Sequence, residues 1–229
     1  TNAPRAHIFT VMARTDPSQK GAGGVTAFIV ERNAPGLSTG KPEHKMGQQG
    51  SHVADVIFDN CIVPADNIIG GREGQGFKTA MRVLDRGRIN IAAACTGLAA
   101  RALDDMVRYA IERRQFGQPI AEYQLVQAMI ADSRTELFAA RSMILDTARR
   151  RDRGEDVSTD ASCCKLFASE MVGRVVDRNV QVHGGAGYIA EYAAERHYRD
   201  ARLYRIYEGT SEIQRIKIAK DVIRAARGS

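Results

Sequence analysis

The densest group of reactive side chains lies near the end of the chain. Ile206-Tyr207-Glu208-Gly209-Thr210-Ser211 puts a carboxylate, a glycine and two hydroxyls in consecutive positions, Glu208 to Ser211. Directly afterwards Ile213, Ile216, Ala219, Val222 and Ile223 recur at three- and four-residue spacing, which predicts a helix capped by Ser211 or Thr210. Glu208 then falls in the entering loop, beside flexible Gly209. A carboxylate there can face a cleft, where its chemistry is proton transfer; it equally suits the N-terminus of a helix without any chemistry. Two other blocks could hold a ligand. Arg113-Arg114-Gln115-Phe116 offers guanidinium forks that match paired phosphate oxygens, or simply cations ending a helix at Gly117. Gln181-Val182-His183-Gly184-Gly185 ends in glycines that let backbone approach a ligand, or that form a plain C-cap. No strand precedes it, so the dinucleotide fingerprint is excluded, and His183 alone suits a core or interface position.

These residues need elements to hold them. The first 69 residues read as strands: His7 to Ala13 and Val25 to Val30 form a hairpin with a long loop, and His52 to Val63 alternates as a half-buried antiparallel strand. From Gly74 the pattern turns helical. Ile89, Ala92, Ala93, Thr96, Ala99, Ala100, Leu103, Met106, Val107 and Ala110 trace one long apolar stripe. A second stripe runs from Val126 to Ala148 and stops at Gly154, a third from Ser158 or Thr159 to Gly184, a short one from Ala190 to Ala201, and the terminal one follows Thr210. Four long helices with short connectors make an antiparallel bundle the economical arrangement. The fold class is therefore α+β, with a partial antiparallel β-domain over 1–69 and a four-helix-bundle domain over 70–229.

Composition narrows the function classes. The 229 residues are 44% hydrophobic and 26% charged, which is ordinary globular usage. No apolar run is long enough to span a bilayer. Cys61, Cys95 and the adjacent Cys163-Cys164 suit neither a disulfide framework nor a zinc site, so no metal is expected and a reducing compartment is. The net charge of +6 permits nucleic acid, but bases and acids interleave along the helices, which reads as solvated surface. The dense Arg149-Arg150-Arg151-Asp152-Arg153 cluster ends a helix, where cations are favourable without a partner.

Three blocks in series, Glu112-Arg113-Arg114-Gln115-Phe116-Gly117-Gln118-Pro119-Ile120, Gln181-Val182-His183-Gly184-Gly185-Ala186-Gly187-Tyr188 and Ile206-Tyr207-Glu208-Gly209-Thr210-Ser211 with Ile213-Gln214-Arg215, resemble the acyl-CoA dehydrogenases over essentially the whole chain. Thr1-Asn2 resembles the end of that family's Trp-Ile-Thr-Asn segment. The resemblance thus implies a longer polypeptide, with an N-terminal helical domain and the first half of the β-domain upstream; an edge left by half a β-domain supports the same expectation. Lys45-Met46-Gly47-Gln48-Gln49-Gly50-Ser51 departs from the family form, which has an arginine near Gln49.

By this resemblance Glu208 is the catalytic base that removes the proton α to a thioester carbonyl while a hydride leaves the β carbon. Its own backbone N–H and a ribityl hydroxyl of FAD would polarise the carbonyl. FAD is required because protein side chains accept hydride poorly. Some branches carry the base on the first long helix, at the position of Gly87 in Leu84-Asp85-Arg86-Gly87-Arg88; glycine there matches the branches with a base at 208. Asp85, Arg88 and Gly209 would lie against acyl-CoA, although Asp85 and Arg88 also suit an (i, i+3) ion pair. FAD would meet Thr1, Arg113, Gln115, Phe116, Tyr123, Gln124, Gln181, Val182, Gly184, Gly185, Thr210, Ser211 and Glu212, partly across a subunit interface. The family further implies a homotetramer, electron transfer to an electron-transfer flavoprotein, and a cytoplasmic (bacterial) or mitochondrial-matrix home. Rival readings on the same scaffold are an acyl-CoA oxidase, a nitroalkane oxidase (which has aspartate at the position of Glu208), and a non-catalytic nucleic-acid-binding relative.

Overall fold

The computed structural model describes residues 1–228. The chain divides into two compact units, Thr1–Leu84 and Asp85–Ser229. In the first, β1 (Ile8–Arg14) pairs antiparallel with β2 (Val25–Glu31) from Ile8 opposite Glu31 to Arg14 opposite Val25, the hairpin expected from the two apolar runs. Thr26, Ala27 and Val30 of β2 are buried. The buried Thr26 hydroxyl is satisfied by Thr15 Oγ1 at 2.7 Å and by the Gly74 N–H at 2.9 Å, so it fastens the hairpin to the end of the unit. A second ladder joins β3 (Leu37–Thr39) to β4 (Val56–Phe58). The strand expected over 52–63 is thus only three residues long, because its partner is equally short, and Phe58 is 44% exposed instead of facing inward.

The second unit is built on long helices. α1 (Gly76–Glu112) begins in the first unit and runs through the second. A two-residue hairpin of β5 (Arg114–Gln115) and β6 (Gln118–Pro119) leads into α2 (Gln124–Asp152). Then come α3 (Ser158–His183), the short α4 (Ala193–Ala201) and α5 (Ser211–Ala226). Glycines end α2 and α3 as the sequence suggests: Gly154 has φ 84° and Gly184 φ 58°, a region a side chain resists.

One apolar core joins α1 (Ile89, Ala92, Cys95, Ala99, Ala102), α2 (Leu137, Ala140, Ile144) and α3 (Ala161, Cys164, Ala168, Met171, Val172, Val175, Val176). Small residues line most of the α1 stripe, so the volume is filled by the valines and Met171 of α3. Each of those larger side chains contributes roughly 1.5–3 kcal/mol by leaving water. α3 packs against α2, α4 and α5 and is the element from which the candidate site is held. The basic cluster ending α2 is neutralised locally. Arg150 reaches Glu155 at 2.9 Å and Asp160 at 2.8 Å, and Arg153 reaches Glu155 at 2.8 Å. No described helix is long and apolar enough to cross a membrane.

Candidate functional site

The loop between α4 and α5 contains two successive left-handed residues, Glu208 at φ 56° and Gly209 at φ 88°. The first costs on the order of 1 kcal/mol for a residue with a Cβ, so the surroundings must impose it. They do so through the carbonyls. Gln214, wholly buried on the first turns of α5, donates from Nε2 to Glu208 O at 3.0 Å and to Gly209 O at 3.2 Å. Lys165 of α3, also wholly buried, donates from Nζ to Gly209 O at 2.6 Å. Gly209 is required twice over, since a Cβ there would stand 2.6 Å from Gln214 Nε2. One turn further along α3, Glu170 accepts from Ser211 Oγ at 2.6 Å and faces Arg205 at 3.5 Å. Thr210, not Ser211, is the N-cap of α5, accepting from Ile213 N at 3.3 Å. Glu212 follows in the exposed first turn, its carboxyl held below the usual range by its own backbone N–H and by Thr210.

The Glu208 carboxylate turns towards α1. A Cβ built on Gly87 would lie 2.5 Å from Glu208 Oε2 and 3.0 Å from its carboxyl carbon. Glycine at 87 therefore leaves the space that this carboxylate fills. Among the described residues Glu208 Oε2 is buried without a hydrogen-bond partner. Such atoms are costly and call for an explanation. One residue along, Arg88 is 6% exposed; it donates to Asp85 Oδ1 at 2.6 Å, approaches Ser162 Oγ at 3.5 Å, and keeps a buried Nε without a partner. The (i, i+3) pair of Asp85 and Arg88 thus forms, with the guanidinium inside the protein. Burial lowers the pKa of Lys165, while Cys95, Glu170 and Glu208 work in the opposite direction. Burial pushes the Cys95 thiol up to about 12, so it stays protonated.

A second group of the expected residues meets elsewhere in the same unit. Gln115, Phe116, Tyr123, Gln124, Gln181 and Val182 line one open groove. Tyr123 donates to Gln115 O at 2.8 Å, and its ring meets Phe116 edge to face at 6.4 Å between centroids. Phe116 has φ 50° and is 93% exposed, presenting its ring outward. Arg114 closes the hairpin by donating to Gly117 O at 3.0 Å, and the exposed Arg113 stands beside it. Arg113, Gly184 and Gly185 do not line the groove, although a Cβ at either glycine would meet open space. His183 is a packing residue: its Nδ1 lies 2.8 Å from Asn179 O and its ring stacks on Tyr109 at 4.2 Å. Thr1 lies in the other unit and is exposed.

Sequence reasoning left out Lys165 and gave Gln214 no role. Lys165 could have been found by its register, since Ala161, Ala168 and Val172 on the same face of α3 are all buried. Gln214 shares the inward face of α5 with buried Ser211, whereas Ile213, Ile216, Val222 and Ile223 of the apolar period are exposed, so that period pointed away from it.

The chain matches known proteins along nearly its whole length. Residues 74–223 match the family model of the acyl-CoA dehydrogenase C-terminal domain, and residues 1–61 that of the acyl-CoA dehydrogenase middle domain. The chain is 46% identical over 220 residues to the acryloyl-CoA reductase (NADH) of Anaerotignum propionicum, covering 96% of this chain and 55% of that protein. It is 43% identical over 219 residues to the caffeyl-CoA reductase-Etf complex subunit CarC of Acetobacterium woodii, covering 96% and 57%. The butyryl-CoA dehydrogenase structure from Megasphaera elsdenii superposes with a TM-score of 0.94 at 42% identity, over 97% of this chain and 58% of that one. The chain thus spans little more than half the length of the relatives it matches. With both domain models matched in order along its length, the chain belongs to the acyl-CoA dehydrogenase family.

Proposed function

We propose that the protein catalyses FAD-dependent α,β-dehydrogenation of an acyl-CoA thioester of short, medium or branched chain, with Glu208 as the base. The observation that carries this reading is the buried, unpartnered Glu208 Oε2 in a left-handed turn, given its room by Gly87. A carboxylate oxygen withheld from every protein donor is free to take a proton from carbon. In the step, the α C–H bond breaks, the proton passes to Glu208, and the released pair forms the new double bond as hydride leaves the β carbon. Gly209 admits the acyl chain close to the backbone, the Glu208 N–H polarises the thioester carbonyl, and Asp85 and Arg88 border the acyl-CoA.

The groove and its flank fit a dinucleotide. An outward aromatic ring on Phe116 and the amides of Gln115, Gln124 and Gln181 in the groove offer stacking and hydrogen bonds, and the exposed guanidinium of Arg113 outside it offers charge. Val182, Tyr123, Gly184 and Gly185 complete that contact, with Glu212 further along the cofactor. Ser211 already donates to Glu170 and Thr210 already accepts from Ile213, yet each hydroxyl keeps hydrogen-bonding capacity for a ligand. FAD, when bound, supplies the acceptor for the β-hydride. The outward-facing Phe116 turn supports a homotetramer with FAD at subunit interfaces. A relative named as part of an Etf complex supports an electron-transfer flavoprotein as partner. The compartment that goes with this reading is the cytoplasm of a bacterium or the mitochondrial matrix.

A second reading, the same half-reactions run as reduction of an enoyl-CoA, is favoured by the relatives named as acryloyl-CoA and caffeyl-CoA reductases. Glu208 then delivers the α-proton. Anaerobic titration with butyryl-, octanoyl- and isobutyryl-CoA, and with the matching enoyl-CoAs, separates the two directions. Glu208→Gln tests both: the flavin spectrum should persist while turnover falls by roughly 10²–10⁴-fold. Wild-type-like turnover in that variant would remove Glu208 from the chemistry.

A further inference from the structure

We propose that Lys165 is a positioning residue for Glu208: its buried ammonium holds the Gly209 carbonyl, and with it the turn that carries the base. The inference rests on the reading of Glu208 as the base. Lys165 is wholly buried on the apolar face of α3, where lysine is rare unless it is used. Its 2.6 Å bond ends on the carbonyl immediately after the base residue, across 44 positions of sequence.

Stability alone does not account for this lysine. Gly209 O already accepts from Gln214, so an apolar residue at 165 would leave no carbonyl unsatisfied. Burying an ammonium costs desolvation, seen in the lowered pKa of Lys165, so the charge is held there at a cost. What the lysine adds is a positive charge facing the site. The groups around it are Arg88 and Cys95 on α1, Glu170 on α3 and Glu208 in the loop. Cys95 is protonated, Arg88 is paired with Asp85, and Glu170 is engaged by Ser211 and Arg205. Glu208 is the one of these carboxylates with a buried oxygen lacking a partner. A charge-assisted bond on the carbonyl next to it fixes its turn more firmly than a neutral donor alone, and a sub-ångström shift of a base is enough to slow proton transfer.

The test uses holoenzyme and reads the base without hydride transfer. Methylthioacetyl-CoA and hexylthioacetyl-CoA carry sulfur at the β position, so no hydride can leave. Exchange of their α-hydrogen for deuterium in D₂O, followed by mass spectrometry, reports proton removal and return alone. Lys165→Met should keep the flavin spectrum and unfold no lower than wild type. Its exchange rate should fall by about 100-fold. Lys165→Gln keeps a donor without the charge; it should show a smaller loss of rate, and it carries the test if the methionine variant fails to fold. Exchange within about threefold of wild type in Lys165→Met, a loss of rate in Lys165→Gln as large as in Lys165→Met, or a loss of rate matched by a lower melting temperature would overturn the proposal. Glu208→Gln run in parallel separates the two ideas: retained exchange there removes the base itself, whereas an inactive Glu208→Gln beside a fully active Lys165→Met removes only the role of Lys165.

Discussion

The two turns nearest the proposed chemistry are made in opposite ways. The Glu208–Gly209 turn is cross-linked inward: Gln214 and Lys165 hold its carbonyls, Glu170 holds the serine that follows, and Gly87 leaves the carboxylate its room. The Phe116–Gly117 turn has the same pair of left-handed residues, but Phe116 is 93% exposed and the hairpin is tied by Arg114 and Tyr123 at its edges. One turn is finished by its own chain; the other offers its surface. A base must be held to a fraction of an ångström before substrate arrives, whereas a cofactor contact can be completed by the cofactor itself. The left-handed backbone is common to both, and the difference lies in what surrounds it.

After Glu208→Gln and Lys165→Met, the largest effect that sharpens this contrast is expected from Gly87→Ala. Alanine improves the propensity of a helix interior by up to about 1 kcal/mol, and the carboxylate it meets at 2.5 Å can swing aside. Stability should therefore hold or rise while turnover falls by about 100-fold; unchanged turnover would show that the position of the carboxylate in the cleft is unimportant. Phe116→Ala should do the reverse. With so little of the ring buried in the chain, the stability of the apoprotein should shift by no more than about 0.5 kcal/mol, while FAD affinity, followed by flavin fluorescence, weakens roughly tenfold. A large drop in apoprotein stability would mean that this turn is not the outward-facing one. The smallest effect tests the frame behind the inward turn. Asp221 of α5 accepts from Lys217 Nζ at 2.7 Å and from Thr159 Oγ1 of α3 at 3.0 Å, and the Lys217 bond holds its carboxyl below the usual range. A carboxylate with a lowered folded pKa contributes stability above its unfolded value, and that contribution is lost as pH falls through the folded one. Asp221→Asn should cost about 0.5–1 kcal/mol at pH 7, and the denaturation midpoints of variant and wild type should converge in acid.

The helices were legible because a 3.6-residue period persists for many turns, and Gly154 and Gly184 mark two of their ends. The β3–β4 ladder was not, since Leu37–Thr39 is too short to show alternation and follows Pro35-Gly36. The loop position of Glu208 followed from the hydroxyl cap after it. Its left-handed backbone did not, because glutamate carries no preference for that region; donors distant in sequence impose it. Lys165 was hidden for a related reason: a lysine in a helix ordinarily reads as solvated, and only its register among Ala161, Ala168 and Val172 marks it as inward. Single side chains that act through tertiary contacts leave little trace in a pattern read along one chain.

Cys95 gives the bundle a built-in clock. Its thiol lies at the centre of the apolar core, wholly buried and protonated, so an alkylating reagent reaches it only when the helices part. With reagent in excess, the rate at which Cys95 is modified becomes the rate at which α1 separates from α3, while half-exposed Cys61 and Cys163 react early and serve as internal references. Ligands that close the site should slow that clock, and the slowing can be timed without following any reaction of the substrate.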